Sequence, residues 1–85
     1  MRIYLQTLYR PGQPLRFYQL DLQPDLLGGW ILARESGLQG GRGQVTKMHF
    51  AQRDEAERKL IQFRDQQLKK GYQVVFCKGV QLESE

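Results

Sequence analysis

Apolar side chains follow a two-residue period through the first part of the chain and a helical period after Arg53. From Ile3 to Tyr9 the run is apolar-rich with partial alternation, and Pro11-Gly12-Gln13-Pro14 closes it as a turn. In Arg16 to Leu22, the side chains of Tyr18, Leu20 and Leu22 alternate with Gln19 and Asp21, the pattern of a half-buried strand. Pro24-Asp25 and Gly28-Gly29 mark the next connection. Trp30 to Glu35 reads as a third strand, with Trp30 and Leu32 on one face and Ile31 and Ala33 on the other. Apolar residues on both faces place it inside a sheet rather than at an edge. Gln44 to Phe50 is the fourth strand, where Thr46, Met48 and Phe50 share the face opposite Val45, Lys47 and His49. Between the third and fourth strands lies a loop with Gly37, Gly40, Gly41 and Gly43, and Arg42 among them.

The period then changes. No Gly or Pro interrupts about Arg53 to Lys70, and Ala56, Leu60 and Phe63 fall on one stripe, widened by Ile61 and Leu68. Asp54 with Arg58, Glu55 with Lys59, and Asp65 with Lys69 set an acid four residues before a base. Each such pair contributes a few tenths of a kcal/mol on an exposed helix. Gly71 follows Lys69 and Lys70 where a left-handed cap is expected, and the two bases suit the helix C-terminus. Tyr72 to Cys77 reads as a last strand, and the chain is expected to fray from Val80 to Glu85.

The order β-β-β-β-α-β predicts an α+β fold: an antiparallel sheet of four or five strands with one long helix packed on one face. At 85 residues the chain suits a single domain, here over residues 1–80, with 81–85 as a tail. The lone Cys77 excludes an internal disulfide and suits a reducing cytosol. No run approaches the ~20 apolar residues that cross a bilayer, and Gln6 and Thr7 interrupt any signal-peptide core. A cytoplasmic protein without a membrane partner is the expectation.

Charge sharpens this picture. Thirteen Lys and Arg oppose nine Asp and Glu, a formal net charge of +4. Residues 30–52 hold three bases and one acid, and residues 53–70 hold six bases and four acids, so the excess lies in the Gly-rich segment and the helix. Such an excess steers a protein toward polyanions; ordinary solubility charge is the alternative.

Catalytic chemistry finds little purchase. GLQGGRGQVTK lacks both the spacing of a phosphate-binding P-loop and the helix that should follow it. His49 and Cys77 are the only residues of their types, so neither a nucleophilic dyad nor a metal cluster is expected. Asp21 and Asp25 fit a strand surface and a turn, and Trp30 fits the core. No enzyme and no cofactor are expected.

Phe17-Tyr18-Gln19-Leu20 with Leu22, Trp30 with Arg34, the glycine loop, the helix stripe and Gly71-Tyr72 occur in the order and spacing of a known family. From about Leu15 to Val75 the chain resembles the WGR domain, found in some poly(ADP-ribose) polymerases and in many small bacterial proteins. The resemblance implies the same α+β architecture. In the polymerases the domain lies against a DNA end and against neighbouring domains, through the Trp and Arg of a Trp-Gly-Arg triplet. Here that triplet reads Ser36-Gly37-Leu38, and a lysine common late in the family's helix aligns with Gln67. Serine has no aromatic face to stack on a base, and leucine has no guanidinium for a phosphate. Gly37 and Gly40 match the family and are expected to preserve the turn through positive φ.

Two functions follow as expectations. The first is a module that contacts the phosphate backbone of DNA or RNA through Arg34, Arg42 and Lys47 around Gly37 and Gly40, brought together if the two strands pair. Lys69 and Lys70 form a second patch. The second is a protein-interaction or regulatory module that keeps the WGR scaffold and presents Leu38-Gln39 as an apolar loop tip.

Overall fold

The computed structural model describes residues 1–79. Its elements are β1 (Arg2–Thr7), β2 (Arg16–Pro24), β3 (Trp30–Leu38), β4 (Gln44–Phe50), α1 (Arg53–Lys69) and β5 (Tyr72–Lys78). The strands form one antiparallel sheet of order β4-β3-β2-β1-β5. β1 to β4 are a meander. α1 then crosses one face from the β4 edge, so that β5 pairs with β1 at the opposite edge. The expected α+β architecture is present, with five strands. The expected tail from Val80 lies outside the described residues.

The sheet contributes Ile3, Leu5, Tyr18, Leu20, Leu22 and Leu32 to the core, and the helix contributes Ala56, Leu60 and Phe63. Register makes these one layer: Ile3 faces Leu20, while Leu32 is flanked by Leu22 and Met48. Burying a leucine such as Leu60 fully is worth about 1.5–3 kcal/mol, several times any ion pair on the helix surface. Trp30 is half-buried against this core, with the Arg53 guanidinium 5.2 Å from its ring.

Several expectations need correction. β1 ends at Thr7 rather than Tyr9, leaving Leu8 and Tyr9 exposed, because its partner β2 begins only at Arg16. There the Arg16 N–H donates to Thr7 Oγ1 at 3.0 Å. β3 runs to Leu38 rather than Glu35, because Phe17 and Arg16 of β2 supply ladder partners for Gly37 and Leu38. Ser36-Gly37-Leu38 is therefore strand, not loop.

On α1 the buried stripe is Ala56, Leu60, Phe63 and Gln67; Ile61 and Leu68 are exposed. Each lies one position, about 100° of rotation, past a buried residue. Of the expected acid–base pairs, Asp54–Arg58 forms at 3.8 Å. Glu55–Lys59 and Asp65–Lys69 form no bridge among the described residues: Lys59 lies over the Phe63 ring at 5.4 Å, and Asp65 accepts from Arg64 at 2.9 Å. Arg53–Glu57 closes instead at 2.7 Å. Gly71 ends the helix with φ +100°, as its position predicts.

The face away from the helix carries mixed chemistry. Tyr4 stacks on Phe17 with ring centroids 5.9 Å apart, and Arg2 meets Asp21 at 3.3 Å. At the β5 edge, Tyr4 pairs with Phe76 and Leu5 with Val74, so Val75 is the extra residue of a β-bulge.

Candidate nucleic-acid interface

An antiparallel meander returns alternate connections to the same end of the sheet. The β1–β2 turn and the β3–β4 hairpin therefore lie together, and the C-terminus of α1 joins them where it leads into β5. These three connections and their borders supply Arg10, Arg16, Arg42, Lys69 and Lys70, and segments 8–16, 38–44 and 68–72 contain no acidic residue. Asp25, Asp54, Glu55 and Glu57 sit on the connections and helix start at the other end. Arg2, Arg53, Arg58, Lys59 and Lys78 offset those acids, so the domain is basic at one end of its strands and near neutral at the other. The helix C-terminus brings roughly half a unit of negative partial charge to the basic end, too little to cancel five cations.

None of these five cations has an ion-pair partner among the described residues. Arg10, Arg16 and Lys70 line one cleft of about 300 Å³ together with Thr7, Gln13 and Gly71. Lys70 is the helix C-cap residue, its N–H directed at the carbonyls of Gln66 and Gln67 at 3.3 and 3.0 Å, which fixes the root of its side chain.

The expected trio of Arg34, Arg42 and Lys47 does not assemble on one surface. β3 and β4 do pair, but Arg34 stands opposite Thr46 and Lys47 opposite Ala33. Partners across a ladder share a face and neighbours alternate. Arg34 consequently lies on the helix side, half-buried, with its guanidinium 4.6 Å from the centre of the Phe63 ring. Lys47 is exposed on the other side. Arg42 is exposed in the hairpin between them.

The two family glycines act differently from one another. Gly40 has φ +83° with open space around it, so it serves the turn as expected. Gly37 does not have positive φ; a Cβ there would sit 2.8 Å from the Arg42 carbonyl oxygen and 3.1 Å from Gly43 Cα. Its role is to let the hairpin backbone approach β3.

The Leu38-Gln39 tip is also different in kind. Leu38 is 44% exposed on the helix side, opposite Arg16. Gln39 is held down: its Oε1 accepts from Tyr4 Oη and Gln6 Nε2, both at 2.9 Å, and its N–H donates to the Leu15 carbonyl at 2.8 Å.

Sequence reasoning missed Arg10 and Arg16, which flank the Pro11–Pro14 turn. The signal available was the strand count, since in a meander the first and third connections share an end. It also missed that Gln67, only 7% exposed, and Ser36 line one cleft with Arg34 and Lys70. His49 and Cys77 lie on β4 and β5, the two opposite edges of the sheet; His49 instead meets Asp25 at 3.2 Å. Among the described residues no helix is long and apolar enough to cross a membrane.

The family model of the WGR domain matches residues 1–76. An uncharacterized protein of Sinorhizobium fredii, y4dW, is 32% identical over 71 residues. The match covers 84% of this chain, and the chain spans about a third (35%) of the relative's length. No solved structure matches.

Proposed function

The chain belongs to the WGR family, and on that premise we propose that it is a non-catalytic module that contacts nucleic-acid phosphates through the basic end of its sheet. Family membership is consistent with nucleic-acid binding. The single observation that carries this reading is the gathering of Arg10, Arg16, Arg42, Lys69 and Lys70 on three neighbouring connections without an acid among them. Gly37 and Gly40 shape the hairpin that presents Arg42. Arg34 and Lys47 take lesser parts, the first at the helix-side rim and the second on the far face. With leucine and serine in place of the family's Arg and Trp, the contacts are to backbone phosphate and carry little base specificity. The domain is proposed to comprise residues 1–80 and to act in the reducing cytosol, to which its one cysteine is suited.

Fluorescence anisotropy of labelled single- and double-stranded DNA and RNA at low salt tests this. Micromolar binding that weakens steeply with salt is expected; no binding at high micromolar protein would end the proposal. Ser36→Trp with Leu38→Arg should raise affinity for DNA if the frame is otherwise competent.

A protein partner is the second reading, favoured by apolar side chains that the fold leaves in solvent. Leu38 is one. Leu26 and Leu27, on the β2–β3 turn at the opposite end of the sheet, are fully exposed and more prominent.

A further inference from the structure

Where the last turn of α1 passes over β2, β3 and β4, a cleft of about 370 Å³ opens on the helix side of the sheet. Tyr18, Arg34, Ser36, Thr46, Gln67 and Lys70 are among its walls, which hold two cations and no carboxylate. Its volume is within the range of about 300–1,000 Å³ typical of small-molecule sites. Tyr18 is only 6% exposed, and its hydroxyl is buried with no hydrogen-bond partner among the described residues. A buried polar group left unpaired is costly, so an unpartnered hydroxyl on a residue that lines the same cleft as two cations points to a ligand that accepts hydrogen bonds and carries negative charge.

The walls are held in place. Arg34 is stacked on Phe63 at 4.6 Å, and Tyr72 meets the Tyr18 ring edge-on at 6.2 Å. Arg34 has no carboxylate partner among the described residues, so its donors face the cleft uncompensated. Ser36 stands directly across the ladder from Tyr18, at the position where the family carries tryptophan. An indole there would occupy much of the space that the serine hydroxymethyl leaves open, so the cleft is a property of this chain's own substitution.

We propose that this cleft binds the phosphate group of a small phosphomonoester, as a site that shares Lys70 and Arg34 with the nucleic-acid surface but not Arg10, Arg16 or Arg42. The donor set favours a tetrahedral dianion over a carboxylate. A planar guanidinium fork, an ammonium and the Tyr18, Ser36 and Thr46 hydroxyls together offer more donors than two carboxylate oxygens use well. The remaining volume takes the small organic group, with Gln67 as a polar contact.

The test is an amide-resolved NMR titration of the chain with inorganic phosphate and with glycerol phosphate, against chloride and acetate at matched ionic strength. Saturable shifts at Ser36, Thr46 and Gln67 are expected with both phosphates and with neither control. Arg34→Gln should weaken the midpoint about tenfold or more. Tyr18→Phe should weaken it about threefold to tenfold without lowering the melting temperature, since the hydroxyl bonds nothing among the described residues. Ser36→Trp should abolish the response. Shifts that stay linear and spread over the loop cations overturn the proposal, as does a midpoint unmoved by either Arg34→Gln or Tyr18→Phe. Loss of polymer binding in Arg10→Gln with Arg16→Gln, with the phosphate midpoint retained, is expected and separates the two readings.

Discussion

The Arg34 guanidinium lies 4.6 Å over the Phe63 ring, while Lys47, on the strand beside it, occupies the opposite face of the sheet. Arg34 is thereby part of the packing between sheet and helix as well as a charge. Arg34→Gln is expected to lower stability by about 0.5–1 kcal/mol through loss of the cation–π contact, whereas Lys47→Gln should stay within about 0.5 kcal/mol of the parent. Urea denaturation of the two variants distinguishes them. Equal effects would mean that the ring contact contributes nothing.

The polarised charge makes a second comparison possible. Replacing Arg16, Arg42 and Lys70 by Gln together should reduce low-salt affinity for duplex DNA by at least about tenfold. It should also flatten the salt dependence by about 0.9 in slope for each phosphate contact removed. Lys47→Gln, on the far face, should change affinity less than about threefold. Anisotropy titrations at several salt concentrations give both quantities, and a slope that the triple change leaves untouched excludes the basic end as the phosphate surface.

Gly37 offers a test of close approach rather than of turn conformation. Gly37→Ala drives a Cβ to 2.8 Å from the Arg42 carbonyl oxygen, a backbone atom that cannot swing aside. A loss of about 1–3 kcal/mol is expected. Gly43→Ala places its Cβ 2.6 Å from Glu35 Cγ, on a half-buried side chain that can rotate, though Phe17 stands at 2.9 Å. Its cost should be smaller. Thermal melts ordering the two variants the other way would refute the assigned role of Gly37.

On the helix, Leu60→Ala should cost about 2–5 kcal/mol, since Leu60 is 1% exposed, and Ile61→Ala under about 1 kcal/mol. Comparable losses from both would place Ile61 in the core after all.

Leu60 and Ile61 also mark the limit of what the chain alone reveals. The period of Tyr18, Leu20 and Leu22, and of Thr46, Met48 and Phe50, announced strands because alternation is a local property of backbone geometry. The helix stripe was legible for the same reason at Ala56, Leu60 and Phe63, and illegible at Gln67, where position on the stripe outweighs the polarity of the side chain. The face of Arg34 was in fact implied. It shares the Trp30–Leu32 face, while Lys47 is opposed to Met48 and Phe50; if both apolar sets face the helix, the two bases must part. What the sequence withheld was spatial. The union of Arg10 and Arg16 with Arg42, Lys69 and Lys70 depends on which connections return to which end, and the cleft at Tyr18 depends on where the last helical turn crosses the sheet.

The bulge at Val75 has a consequence for the company this domain keeps. β5 is an edge strand that leaves Val74, Val75 and Phe76 exposed, a short β-prone run of the kind that recruits further strands. With one residue too many opposite Tyr4 and Leu5, its outward row of amides and carbonyls changes phase midway. An arriving straight segment can bond in step on one side of Val75 and not on the other, and at the far edge it meets Lys47 and His49. The bulge thus works as a misprint in a template, an obstacle to any straight strand that would copy this edge.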